Sequence, residues 1–204
     1  MKLTRAGRDR QPDQAGGTMV TTVGPPSDRG LVDFGDGLVP ARRHRNGDRS
    51  LGGWVADTAH ADPDAHVAEN VLVFGNARVF GSCHLLDQAR VFDFARVSAG
   101  SIISGHAEVS GSATVAAASI AERAVVTGQG RVQGAIVRGE AWVIDNASIT
   151  NGAVLQDQAM AKGRAFVTDH AVVTGQAIVD GTVQGDVLVL DGHVEADEHI
   201  DPRP

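Results

Sequence analysis

A six-residue repeat is the feature that most constrains the fold of this chain. In "VFGNARVFGSCHLLDQARVFDFARV" (residues 73–97) an aliphatic residue returns at every sixth position, and a small residue, Ala or Cys, stands two positions before each of the last four. An α-helix repeats every 3.6 residues and a β-strand every two, so neither explains a period of six. The period predicts a short strand followed by a corner, repeated many times.

The repeat extends over most of the chain. If the aliphatic residue is position 1, 24 repeats run between Val55 and Val194. Position 5 is Ala in fifteen of them, and position 3 is usually Gly, Asp or Asn, residues that favour turns. Residues two apart in a strand face the same side, so position 5 and the next position 1 point inward. Positions 6 and 2 therefore point outward.

Shortened repeats indicate how many sides each coil has. The repeats that start at Val115 and Val132 are one residue short and lie 17 residues apart, whereas the repeat at Val179 is two residues short. Three corners close a triangle, so one coil takes about 18 residues, and Val115 and Val132 fall on the same side of successive coils. We predict an all-β, three-sided parallel β-solenoid of about eight coils, roughly 38 Å long.

The chain divides into four segments. Residues 1–29 are polar and predict a disordered leader. Residues 30–54 contain "GLVDFGDGLVPA", which predicts a hairpin or strand pair whose Leu31, Val32, Phe34, Leu38 and Val39 cap the first coil, with Trp54 over the open end. Residues 55–194 form the solenoid, and residues 195–204 form a loose polar tail.

Charge and composition exclude several functions. Residues 1–54 hold 9 Lys/Arg and 6 Asp/Glu, or +3, and residues 55–204 hold 9 and 19, or −10, which together give the net −7. A solenoid of that charge argues against binding to nucleic acid or an anionic membrane. The basic cluster "ARRHRNGDR" (residues 41–49) favours a solvated loop, with contact to an anion as the alternative. We expect a soluble cytoplasmic protein, since no secretory signal or apolar run of membrane-spanning length is present.

The repeats resemble a known family. "VFGNAR", "VIDNAS" and "VTGQAI" are similar to the hexapeptide repeats of left-handed parallel β-helix proteins, although Gly or Asp stands at position 3 here, where the family commonly has Gly at position 2. "GDRSLGGWV" followed by "FGNARVFG" looks like the acyltransferase-like hexapeptide proteins of enteric bacteria and their phages. The resemblance covers residues 47–194 and implies a left-handed coil. A right-handed three-sided solenoid is the alternative.

Outward apolar residues predict a subunit interface. Val125, Trp142, Met160, Ile178 and Val194 are expected to form one column, and Val154, Val172 and Leu188 another. Exposed apolar faces indicate that something covers them. Cover by the N-terminal segment suits the early group around Phe74 and Phe92, whereas the later column favours a homo-oligomer. The resemblance implies a trimer, and a protein partner is the other possibility.

Histidines supply the candidate catalytic residues, because the resemblance implies a single His general base in an acyltransferase that uses CoA or acetyl-CoA. His106 and His170, both at corners, are the candidates for that role. Both also suit a plain solvated corner. His66 and His84 are one coil apart and fit an exposed polar ladder better than a metal pair, and no zinc spacing occurs. No metal is therefore expected.

Two functions remain open at this point. The first is a non-catalytic scaffold or interaction protein that self-associates through its outward apolar columns and needs no cofactor. The second is a CoA-dependent acyltransferase with its site in the groove between adjacent subunits. The solenoid shows only shortened repeats and no inserted loop to shape an acceptor site, which favours the scaffold.

Overall fold

The computed structural model describes residues 28–202, and within that range every regular element is a β-strand. After a hairpin, the strands pass in rotation through three parallel sheets, as predicted for a three-sided solenoid of about eight coils. Sheet A contains β1 Arg29–Asp33, β2 Leu38–Arg45, β3 Leu51–Ala56, β6 Leu72–Val73, β9 Arg90–Val91, β12 Glu108–Val109, β15 Val125–Val126, β18 Trp142–Val143, β21 Met160–Ala161, β24 Ile178–Val179 and β27 His193–Val194.

The other two sheets have the same stacked order. Sheet B contains β4 His60–Ala61, β7 Arg78–Val79, β10 Arg96–Ser98, β13 Thr114–Ala116, β16 Arg131–Gln133, β19 Ser148–Thr150, β22 Phe166–Val167, β25 Thr182–Val183 and β28 His199–Ile200. Sheet C contains β5 His66–Val67, β8 His84–Leu85, β11 Ile102–Ile103, β14 Ser119–Ile120, β17 Ile136–Val137, β20 Val154–Leu155, β23 Val172–Val173 and β26 Leu188–Val189.

The core consists of positions 1 and 5 stacked through the coils. Val109, for example, pairs with Val91 on one side and Val126 on the other, and all three are fully buried. The Ala residues at position 5 are equally buried from Ala77 to Ala177. A methyl group suffices there because position 5 directly follows the narrow corner of the coil. The inward and outward assignment made from the sequence is therefore confirmed.

Corner carboxylates link one coil to the next. Asp87, Asp93 and Asp145 stand at position 3 with positive φ, and each side chain accepts a hydrogen bond from the backbone N–H of a glycine 18 residues later, at 2.8–3.1 Å. Asp157 does the same for Gly175 and also accepts the hydroxyl hydrogen of Thr174. These bonds to Thr174 and Gly175 hold the pKa of the Asp157 carboxyl below its usual value. The corners thus add polar links between coils that the strands do not provide.

The first coil is covered by β2 and the segment that follows it. β1 and β2 form an antiparallel hairpin, and β2 pairs with β3. The ring of His44 lies 2.9 Å from the carbonyl of Ala65. Asn46 forms hydrogen bonds with both the N–H and the C=O of Val67, which belongs to the edge strand of sheet C. An edge strand left open would expose unpaired N–H and C=O groups. The segment therefore closes the start of the solenoid.

An aromatic stack fixes the hairpin turn to the side of the solenoid. The ring of Phe34 stacks on Phe74 at 4.8 Å, and Phe74 stacks on Phe92 at 4.9 Å. The Arg90 guanidinium lies over both lower rings, at 5.5 and 5.4 Å, and one of its NH groups bonds to the Phe34 carbonyl. The hairpin therefore covers Phe74 and Phe92, as the sequence predicted for the N-terminal segment.

Several expectations for the ends need refinement. Val32 and Phe34 are buried in the cap, but Leu31, Leu38 and Val39 are exposed. Trp54 does not lie over the open end. It is the first outward residue of sheet A, beside Leu72, and it is buried under Arg43.

Other boundary expectations have mixed outcomes. The cluster at residues 41–49 begins as strand rather than loop, and its Arg42, Arg43 and Arg45 each form an ion pair. The predicted polar tail holds a further strand, His199–Ile200, which pairs with β25. Of the predicted leader, residues 1–27 lie outside the described range.

Candidate functional site

A groove of about 1100 Å³ runs along sheet A next to the corner that precedes each of its strands. One wall is the column of outward residues of sheet A, and the other is the column at position 4 of that corner. The groove begins at Trp54, beside the cap, and ends five coils later at Trp142. Its lining includes Arg43, Trp54, Glu69, Asn70, Leu72, Gln88, Arg90, His106, Glu108, Arg123, Val125, Glu140 and Trp142.

Three ion pairs neutralise the arginines of this groove. The distance between the charged groups is 3.5 Å for Arg43 with Glu69, 2.9 Å for Arg90 with Glu108 and 3.9 Å for Arg123 with Glu140. The last two pairs join residues 18 and 17 positions apart in the sequence. Opposite charges at a spacing of one coil are thus the signal in the sequence that would have revealed them.

His106 is the one predicted catalytic candidate that lines the groove. Its backbone N–H donates to the Glu122 carbonyl at 2.6 Å, which holds the residue at the corner between Gln88 and Arg123. Its side chain is exposed and has no hydrogen bond or ion pair to any residue between 28 and 202. A ring nitrogen that is not engaged by the protein is available to accept a proton from a bound molecule.

His170 lies at a different corner, between sheets B and C. Its φ is +67°, and its ring lies against Gly152, where an added Cβ would approach the ring to 2.7 Å. The structure therefore does not bring the two candidate histidines together. His170 is exposed but is not among the residues that line the groove.

The outward apolar column of sheet A continues below the groove. Val125, Trp142, Met160 and Ile178 align in consecutive strands, as expected. Trp142 has 43% of its surface exposed, and the other three are half-buried. The prediction that Val194 is the fifth member of this column is wrong. His193 follows Ile178 in register, and Val194 is buried beside Val179. The last coil takes only 15 residues, because two of its corners are shortened.

A second apolar column stands on sheet C. Val154, Val172 and Leu188 align as predicted, with Ile136 before them. Leu188 and its neighbour Leu190 are 59% and 58% exposed. This column and the column of sheet A lie on either side of the same corner. Two apolar faces therefore meet along one edge of the prism.

The remaining candidates for metal binding or thiol chemistry have surroundings typical of structural residues. His66 and His84 are paired in register with ring centroids 5.9 Å apart. No group of three His, Cys, Asp or Glu side chains within residues 28–202 is arranged to hold a metal. Cys83 replaces Ala at position 5, is fully buried and donates to the Phe80 carbonyl. Burial raises the pKa of its thiol, which opposes thiolate chemistry.

Comparison with known proteins does not assign the chain. No protein-family model matches it, and no curated protein matches it. The part of the chain that the structure covers contains no helix with the length and apolarity that crossing a membrane requires.

Proposed function

We propose that this chain is a non-catalytic, hexapeptide-type β-solenoid whose function is assembly. The observation that carries the proposal is the column of Val125, Trp142, Met160 and Ile178, which stands on the outside of a rigid sheet with a tryptophan in its middle. Burying a large apolar side chain stabilises by about 1.5–3 kcal/mol relative to leaving it in water. Association of copies removes this face from water.

A cyclic oligomer explains why two apolar columns lie side by side. If the sheet A column of one copy packs against the sheet C column of the next, each copy contributes two different surfaces to a head-to-tail ring. Such heterologous contacts close when the rotation between copies divides the circle. A trimer is the size that the resemblance to hexapeptide-repeat proteins implies, and we propose it as the assembly.

The test is Trp142→Glu, because tryptophans often dominate the energy of an interface. We expect an oligomeric wild type and a monomeric variant by light scattering, with unchanged far-UV circular dichroism. Phe166→Glu is the matched control, since Phe166 is also about two-fifths exposed (39%) but lies on sheet B. A monomeric wild type, or equal dissociation of both variants, would contradict the proposal.

A second function, acyl transfer from acetyl-CoA, is favoured by one observation: the unengaged His106 ring stands on the wall of the groove. His106 would accept the proton of an acceptor hydroxyl or amine as that group attacks the thioester carbonyl. The CoA thiolate would then leave and take up the proton. In this proposal acetyl-CoA lies in the groove, which a neighbouring subunit on sheet A would close.

CoA binding tests the second function. A ligand that binds the folded state raises its melting temperature, so CoA should stabilise the wild type if the proposal holds. His106→Ala should abolish transfer and retain the fold, whereas His170→Ala should transfer normally. Loss on His170→Ala alone would move the site to the other corner. Wild type that neither binds CoA nor hydrolyses acetyl-CoA would exclude this function.

A further inference from the structure

Sheet B carries a column of arginines on its outer face. Arg78 and Arg96 are directly paired in adjacent strands, Thr114 follows, and Arg131 comes next. At about 4.8 Å per strand, the column spans roughly 14 Å along the solenoid axis. All three arginines are exposed, and none has a hydrogen bond or ion pair to any residue in the described range 28–202.

This arrangement contrasts with the arginines of the groove. There, Arg43, Arg90 and Arg123 each have a glutamate partner. The chain contains 25 acidic residues against 18 basic ones, so partners are plentiful in the sequence. Like charges directly opposite each other on neighbouring strands are destabilising. The fold therefore gains no ion pair from placing Arg78 beside Arg96, and a bound anion would supply the missing partner.

Three carboxylates beside the first strand and at the corners of sheet B are already engaged. Asp62, above it, bonds to His60 and to the backbone of Gly81. Asp93 and Asp145, at the corner that leads into sheet B, accept backbone N–H groups of the following coil. The three guanidinium groups are thus exposed and have no carboxylate partner in the described range.

Exposed aromatic rings flank the arginines. Phe80 lies two residues after Arg78 and is 38% exposed, and Phe94 lies two residues before Arg96 and is 63% exposed. The surface is the flat side of a rigid parallel sheet. A flat face with a row of cations and neighbouring apolar rings suits an extended, stiff polymer better than a compact molecule, which would need a pocket.

We propose that this face binds an acidic polysaccharide. An arginine fork binds a carboxylate or sulfate through two parallel hydrogen bonds, and the phenyl rings offer packing surfaces for the apolar faces of sugar rings. A polymer with one anionic group per sugar presents its charges about one ring length apart, close to the spacing between coils. This surface is separate from the assembly face and the groove, so the proposal does not depend on either.

A nucleic acid fits the same column less well. Its phosphates carry charge more densely, with one on each strand about every 3.4 Å of duplex, and its affinity depends on how many phosphates the protein neutralises. Three arginines on a chain of net charge −7 neutralise few of them, while the remaining acidic residues repel the others.

The experiment uses the full chain and polygalacturonate at low salt, with binding followed by isothermal titration calorimetry. Arg78→Gln with Arg96→Gln should weaken binding at least about tenfold, because each substitution removes charge-assisted hydrogen bonds to the anion. The control is Arg138→Gln with Lys162→Gln, which changes the net charge equally but lies on other parts of the surface. We expect that control to bind within about twofold of wild type.

Further arms separate the sources of negative charge. A sparsely sulfated polysaccharide such as κ-carrageenan tests sulfate against carboxylate, and either polymer supports the proposal if the Arg78/Arg96 variant loses its binding selectively. Equal weakening by both double variants would reduce the effect to net charge and overturn the site. Failure to bind either polysaccharide, or tighter binding to single-stranded DNA of matched length, would overturn the ligand class. The Arg78/Arg96 variant should melt at or above the wild-type temperature, which shows that lost binding is not lost folding.

Discussion

Asn46 satisfies both backbone polar groups of Val67: its side-chain carbonyl accepts the Val67 N–H at 2.8 Å, and its amide donates to the Val67 carbonyl at 3.2 Å. One side chain thus takes the place that a neighbouring strand occupies beside each inner strand of sheet C. The start of the solenoid is closed by a side chain whose shape imitates a peptide group.

Asn46→Ala should therefore open the first coil. A buried backbone group left without a partner costs about 1–3 kcal/mol, and here two groups lose theirs. Because each coil depends on its neighbours, we expect the Val67 amide hydrogen to exchange faster in Asn46→Ala than in the wild type. The exchange rate at Val137 should change much less. Asn70→Ala, at an exposed corner, should change neither rate. Equal exchange rates in Asn46→Ala and wild type would contradict the role of Asn46.

The core assignment is tested by Val109→Asp. Val109 is fully buried between Val91 and Val126, so an unpaired carboxylate there should destabilise the chain severely, by more than about 4 kcal/mol. Thr114→Asp is the matched outward control and should be neutral or slightly stabilising, because Thr114 lies between Arg96 and Arg131 in register. Urea denaturation measures both, and equal losses would refute the inward and outward assignment.

Acid should weaken the cap through His44. Burial lowers the pKa of His44 below its usual value of about 6.5. As pH falls through that value, the unfolded chain takes up a proton that folded His44 resists, so stability declines towards acid. His44→Gln keeps a donor near the Ala65 carbonyl and removes this contribution. Wild type should lose more stability than His44→Gln between pH 7.5 and 5.5, measured by thermal melting, and parallel curves would contradict the assignment.

The two glycines before Trp54 are required by close backbone contacts. A Cβ on Gly53 would lie 2.1 Å from the Val71 carbonyl oxygen, whereas a Cβ on Gly47 would meet nothing within 4 Å. Gly53→Ala should consequently displace the chain where it enters the solenoid and lower the melting temperature by several degrees. Gly47→Ala should melt like the wild type. If both variants melt alike, the contact with Val71 is not a constraint.

Much of the fold follows from the sequence because each side chain in the repeat has one period and one direction. The small residue at position 5 and the aliphatic residue at position 1 alone specify the inner surface, and Val115 and Val132 reveal the number of sides. The prediction of an outward Val194 fails because two shortened corners occur within the last coil. The sequence does not show which position each of them omits.

The groove was harder to predict than the fold. Arg90 and Glu108 face outward in adjacent strands, and their spacing of one coil indicates their contact once the fold is known. Phe34, which lies 40 residues before Phe74 and outside the repeat, gives no such signal. Its position depends on where the hairpin folds, and that is decided by contacts such as Arg90 with the Phe34 carbonyl rather than by a period.

The register of the outward columns relates the length of the solenoid directly to the number of residues in it. In the uninterrupted stretch from Ile149 to Val179, residue n lies beside residue n + 18 on the same face. A tandem duplication of residues 155–172 would therefore insert one whole rung, lengthening the prism by about 4.8 Å and placing a second methionine beside Met160. A copy of one six-residue repeat would instead move every later strand onto another side, so only whole turns can be gained without exchanging one face for the next.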